Sequence, residues 1–162
     1  SIDCNTFKPN DGLMRIPGRI VFVGRLDPVK RLELLFQATA QIPDADLVLV
    51  GTEAPNPAGA GPSYREELEK LARELGIKVQ FYGRVPNQAL PEILNQSRVF
   101  VLPSLKEGNP KALMEAMGTG CPCVGARVPG IVDVLEHEQT GLLTDGTAEA
   151  LSSSVYAILS PG

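Results

Sequence analysis

Glu107 and Glu115 are the side chains best placed by type and spacing to do chemistry. They lie in the stretch from Ser104 to Met117, which begins where the apolar run from Val99 to Leu102 ends. Asn109 suits a helix N-cap and Pro110 the first helical position, so a turn should lead into a helix there. Free backbone N–H groups and the positive end of the helix dipole would meet at that point and favour an anion. Glu115 stands among Leu113, Met114, Ala116 and Met117, where a carboxylate needs a partner or a water-filled cleft. No further cluster of Asp, Glu or His supports a metal pair. The spacing sends the two carboxylates to different depths, which disfavours an acid/base pair. Recognition of hydroxyls is the better reading, because a carboxylate can accept two of them at once, as from a ribose diol or a sugar. The bland alternative pairs Glu115 with Lys111 one turn back.

A second cluster, Arg25 and Lys30, brackets a turn containing Pro28. Arg brings a planar fork of donors and Lys a point charge, a combination that suits a diphosphate. Two solvated cations near Asp27 are the competing reading. Other chemistries find no support. No G-x-G-x-x-G follows the first apolar run, and Gly59-Ala60-Gly61 is a poor match in the wrong loop. There is no P-loop motif. His137 sits between charged neighbours and reads as a surface loop residue. The three cysteines, Cys4, Cys121 and Cys123, form no disulfide or metal pattern and read as small buried hydrophobes in a reducing compartment. That points to a cytoplasmic protein. Net charge is −4 over 162 residues, so nucleic acid is not an expected partner. No apolar run is long enough to span a membrane, and nothing at the start resembles a signal peptide.

The elements that must position these residues alternate. Short apolar runs at 19–23, 45–50, 78–82, 98–102, 121–125 and 141–144 read as strands, most of them closed by glycine. Helical patterns lie between them: one from Leu32 to near Pro43, one capped by Ser63 with Glu66 as a capping box, and one over 89–96. The helix after Pro110, a short one over 130–136 and a last one capped by Thr147 complete the set. Residues 52–62 read as a flexible loop. The expected fold class is therefore α/β, a doubly wound Rossmann-like parallel sheet of about six strands with helices on both faces. With strand order 3-2-1-4-5-6, the order reverses between strands one and four, and ligands bind at their carboxyl ends. Arg25 and Lys30 follow strand one; Glu107 and the helix N-terminus follow strand four. Both unusual stretches thus converge on one crevice.

With those motifs in order, the sequence resembles the C-terminal, nucleotide-sugar-binding domain of retaining glycosyltransferases of family 4, the group 1 type with the GT-B fold. Gly24 to Lys30 resembles the family's diphosphate loop, and Tyr82 to Pro86 the segment along the nucleobase. Pro103 through Glu115 resembles its E-x7-E element. Gly120 to Val124 and Gly141 to Leu143 resemble the strands that follow. The resemblance covers nearly the whole chain, with residues 1–17 as the interdomain linker and 18–162 as the domain.

The resemblance implies a set of roles. Arg25 and Lys30 would hold the diphosphate, with Gly24 beside them. Glu107 would face the donor sugar and Glu115 the ribose hydroxyls. Gly108, Asn109, Lys111, Ala112 and Leu113 would meet sugar and phosphate, and Arg84 and Val85 the base. Pro110 departs from this pattern of donors, having no N–H. Cations and helix N-terminus would replace a divalent metal, so no metal or other cofactor is expected. The donor would be a nucleoside-diphosphate sugar. The partner would be an N-terminal acceptor domain absent here, which would also carry any membrane association. A chain of this extent is expected to bind nucleotide and transfer nothing by itself. The alternatives are a non-catalytic nucleotide-sugar-binding module, a starch- or glycogen-synthase-type enzyme, and an unrelated doubly wound domain.

Overall fold

The computed structural model describes residues 2–53 and 61–160. Its strands are β1 (Arg19–Val23), β2 (Asp46–Val50), β3 (Lys78–Gly83), β4 (Val99–Leu102), β5 (Cys123–Ala126) and β6 (Leu142–Thr144). They form one sheet in the order β3-β2-β1-β4-β5-β6, with each neighbouring pair parallel. This is the order assumed from the sequence for a doubly wound sheet. Every residue of β2, β4 and β5 is buried, which is why these strands, apart from Asp46 at the start of β2, are apolar runs without alternation.

The helices are α1 (Leu32–Thr39), α2 (Tyr64–Leu75), α3 (Leu90–Gln96), α4 (Lys111–Gly118) and α5 (Ala148–Leu159). α1 packs against both α2 and α5, and α3 packs against α4, so the sheet lies between two helical layers. Phe22, Phe36 and Phe100 are fully buried between them. The cap signals hold. Ser63 Oγ accepts from Glu66 N at 3.2 Å while Glu66 Oε1 accepts from Ser63 N at 3.4 Å. Gly76 closes α2 at φ 67°, and Thr147 accepts from Ala150 N at 3.1 Å to open α5.

Three expectations are corrected. The segment 130–136 is a run of turns, not a helix. Val132 N donates to Val128 O and Leu135 N to Ile131 O, but no continuous ladder forms after Gly130, whose φ is 90°. Burial of Ile131 and Leu135 anchors the segment instead. α4 begins at Lys111 with Pro110 as its N-cap, and no side chain caps it. Asn109 therefore does not serve as the cap. A 3-10 turn, Pro28–Lys30, precedes α1. Cys4 is exposed, while Cys121 and Cys123 are buried as expected. Burial pushes the Cys121 thiol up to about 12 and raises Cys123 as well, so both are unreactive. Most of the expected loop over 52–62, with Gly59 and Ala60, lies outside the described residues.

Residues 2–18 form neither helix nor strand but are tied down. Phe7 is buried. Asn95 takes Asn10 N at 2.9 Å and gives to Lys8 O at 3.0 Å. Arg15 donates to the carbonyls of Leu94, Ser97 and Thr119 at 3.0, 2.7 and 3.1 Å, where α3 and α4 end. A guanidinium at helix C-termini satisfies carbonyls that the helices leave unpaired. His137 is a loop residue whose Nδ1 accepts from Leu143 N at 3.0 Å, pinning the start of the edge strand β6.

Candidate functional site: the crevice between the loops after β1 and β4

Two glycines let the loop after β1 run hard against the loop after β2. Gly24 N donates to Val50 O at 2.9 Å and Leu26 N to Thr52 O at 3.0 Å. A Cβ on Gly51, at φ 136°, would stand 1.9 Å from Gly24 O, so that position admits no side chain. The chain then tightens. Asp27 Oδ1 accepts from Val29 N at 2.9 Å, the 3-10 turn follows, and Arg31 adopts the left-handed conformation at φ 54°, ψ 49°. Lys30 is delivered across the crevice by this turn.

There Lys30 Nζ meets Glu107 Oε2 at 2.7 Å. The same oxygen accepts from Ser104 Oγ at 2.6 Å. Ser104 is fully buried, the Glu107 side chain is 8% exposed and that of Lys30 21%. Leu105 N donates to Val29 O at 2.9 Å, joining the two loops by backbone as well as by charge. Gly130 closes the other side, since a Cβ there would stand 2.0 Å from Glu107 O. Glu107 is thus held with Oε2 committed to two donors.

Next to this pair lies the start of α4. Lys111 N turns back to Asn109 O at 2.8 Å, and the first regular helical bond is Met114 N to Pro110 O at 3.2 Å. The N–H groups of Ala112 and Leu113 therefore have no acceptor within the helix. Gly108 and Asn109 are exposed and form no backbone hydrogen bond through N–H among the described residues. Pro110 removes a donor, yet four remain at this end of the helix and its loop. Glu115 is 4% exposed, and its carboxylate accepts no hydrogen bond and forms no ion pair among the described residues. Burial raises its pKa, with Lys111 pulling weakly the other way. The alternative ion pair with Lys111 does not form.

The structure thus joins Gly24, Lys30, Glu107, Gly108, Asn109, Lys111, Ala112 and Leu113 at the reversal of strand order. Arg25 is in the same loop, exposed and without a side-chain partner among the described residues. Arg84 and Val85 follow β3, two strands further along the same edge of the sheet. Three residues escaped the sequence reading. Ser104 was legible only as a neighbour of Glu107. Gly130 carried a Pro-Gly turn signal with no hint of its neighbour. Arg31 gave none. Among the described residues no three His, Cys, Asp or Glu side chains form a metal-binding cluster.

A doubly wound domain with a cation, a carboxylate and a helix N-terminus at its switch point defines a class of anion- and nucleotide-binding proteins. Over residues 13–161 the chain matches the family described as glycosyl transferases group 1, and it belongs to that family. It is similar to a D-inositol 3-phosphate glycosyltransferase of Thermomonospora curvata, 32% identical over 165 residues, covering 90% of this chain and 38% of the relative. Among solved structures it is similar to a sucrose-phosphate synthase from Thermosynechococcus elongatus, at 29% identity and a TM-score of 0.86, covering 98% of this chain and 41% of that one. An Anabaena protein solved in complex with UDP and glucose shares the fold at a TM-score of 0.87 and 24% identity, over 98% of this chain and 46% of the other. The chain spans about two fifths of the length of these relatives.

Proposed function

We propose that this chain is the donor-binding part of a retaining glycosyltransferase that moves a sugar from a nucleoside-diphosphate sugar to an acceptor. The observation that carries the reading is the Lys30–Glu107 pair set beside the open N-terminus of α4. A diphosphate entering the crevice offers Lys30 a stronger partner than a single carboxylate. Arg25, exposed and unpaired among the described residues, and the N–H groups of Ala112 and Leu113 converge on the same charge. As the glycosidic bond breaks, negative charge grows on the leaving diphosphate, and these fixed donors stabilise it more than they stabilise the ground state. No divalent metal is required in this scheme.

Glu107, fixed by Ser104, turns a carboxylate toward the hydroxyls of the donor sugar. Glu115, deeper and unpartnered among the described residues, takes the ribose diol. Backbone of Gly83, Arg84 and Val85 lies along the base. The acceptor is held by a second domain joined through residues 1–17, which also carries any membrane contact. The protein works in the cytoplasm, where the buried thiols of Cys121 and Cys123 stay reduced.

Calorimetric titration of the chain with uridine, guanosine and adenosine diphosphates, with and without a chelator, tests this. Saturable binding of one of them, unchanged by the chelator and weakened in Glu115→Ala, is the expected result. Folded protein that binds none of the three would overturn the reading. So would sugar transfer by the purified chain without added protein, as regards the second domain.

A further inference from the structure

Arg31 is left-handed where it caps the 3-10 turn, its N–H bonding back to Pro28 O at 3.0 Å. Its φ of 54° and ψ of 49° place it in the left-handed region, which an arginine adopts only under compulsion. A glycine would enter that turn freely. The local bond fixes the backbone, and a contact from far along the chain holds the side chain. Arg31 Nε donates to Pro103 O at 2.8 Å, across 72 residues of sequence. Its guanidinium also lies directly under Gly146, where an added Cβ would come within 2.8 Å of Nη1. The side chain therefore touches the loops that follow β1, β4 and β6. It sits between Lys30 and the start of α1, one residue from the cation that crosses the crevice.

We propose that Arg31 is the positioning residue of the crevice: its guanidinium pins the loop carrying Lys30 to the loop carrying Ser104 and Glu107, and Gly146 is kept small to admit it. The left-handed backbone at the end of the turn aims that side chain at Pro103 O. Strain of this kind gathers where surrounding contacts over-determine a functional geometry. The consequence for ligand binding rests on the diphosphate reading above; the pinning itself does not.

Two substitutions separate the side chain from the backbone. Arg31→Gly relieves the strained turn and removes the pin, so the turn's own stability does not suffer. Gly146→Ala leaves Arg31 in place but pushes its flexible end aside. Native-state hydrogen exchange reads the result at the Leu105 amide, which bonds to Val29 O between the two loops. In both variants that amide should exchange about tenfold faster, the change expected for losing one supporting hydrogen bond, with little change in thermal midpoint. Arg31→Lys should fall between parent and glycine, because an ammonium reaches the carbonyl without the planar fork. Titrations with uridine, guanosine and adenosine diphosphates should show the one that binds weakened by about fivefold in both variants.

Unchanged Leu105 protection in Arg31→Gly would overturn the pin, whether or not a nucleotide binds. Faster exchange with undiminished affinity would overturn its role in the site. A parent chain that binds no diphosphate would remove the proposed function, while the exchange data would still decide the pin. If Arg31→Gly lowers the thermal midpoint, Gly146→Ala decides alone, since it keeps the Arg31 backbone.

Discussion

β1 carries one ion pair at its base and leads to another beyond its tip, and the two differ in nearly everything except length. Arg19 Nε and Asp46 Oδ2 meet at 2.7 Å, as do Lys30 Nζ and Glu107 Oε2. The basal pair joins adjacent strands at residues already in register. Both of its side chains are about nine-tenths buried, and Asp46 also accepts from Gln80 Nε2 at 3.5 Å, with Lys78 Nζ 3.9 Å away. The upper pair joins two loops 77 residues apart, and its lysine keeps a face to solvent. A planar guanidinium suits the fixed partner; a flexible ammonium suits one that is to be exchanged. The same distance thus describes a lock at one end and a provisional contact at the other.

Removing the partner of the buried arginine should produce the largest effect. Asp46→Ala leaves Arg19 uncompensated and should cost about 3–5 kcal/mol in urea denaturation, with nucleotide affinity of the folded protein unchanged. A loss under about 1 kcal/mol would mean the basal pair is no more of a lock than a surface contact. Lys30→Ala should invert that pattern. Affinity for a nucleoside diphosphate should fall about 10- to 100-fold, the worth of a charged hydrogen bond to phosphate, while stability falls by less than in Asp46→Ala, because Ser104 Oγ still donates to the buried Glu107 carboxylate. A destabilisation as large as that of Asp46→Ala would erase the contrast.

The smallest effect sharpens it. Burial holds the Glu115 carboxyl above its ordinary value of 4.5, so the folded chain keeps that proton more tightly than the unfolded one. Ionised Glu115 therefore works against folding at neutral pH, and this cost fades as pH falls through the raised value. Glu115→Gln should raise the thermal midpoint slightly at pH 7 and flatten that part of the pH profile. The same substitution should weaken nucleotide binding about fivefold. A midpoint that drops at pH 7 would show that Glu115 already has a stabilising partner.

The middle of the sheet was legible because β1, β2, β4 and β5 are buried on both faces, so short apolar runs marked them. Their order was assumed for a doubly wound fold, and the convergence of the two unusual loops followed from it. Local capping chemistry read well where it was local, as at Ser63 and Thr147. It failed at Asn109, because Lys111 N turns back to the Asn109 carbonyl and the helix opens one residue later than its sequence signal. The segment 130–136 has helical apolar spacing at Ile131 and Leu135, yet Gly130 is turned by the close approach of Glu107. That contact joins the loops after the neighbouring strands β4 and β5 and leaves no mark in sequence. Arg31 is the extreme case: its side chain is held by a carbonyl 72 residues away. Glu107 and Lys30 could be nominated from sequence; the geometry that makes them a pair could not.

The leading segment bears on how this domain can be exchanged between proteins. Arg15 caps three carbonyls at the ends of α3 and α4, and Phe7 fills a buried site whose carbonyl oxygen lies 2.8 Å from where a Cβ on Gly118 would be. A chimera joined at the start of β1 would import a sheet whose helix ends had lost their cover. One joined ahead of Phe7 would carry its own cover with it. The natural seam for recombination therefore lies upstream of the first strand, and modularity here is set by a stretch with no regular structure of its own.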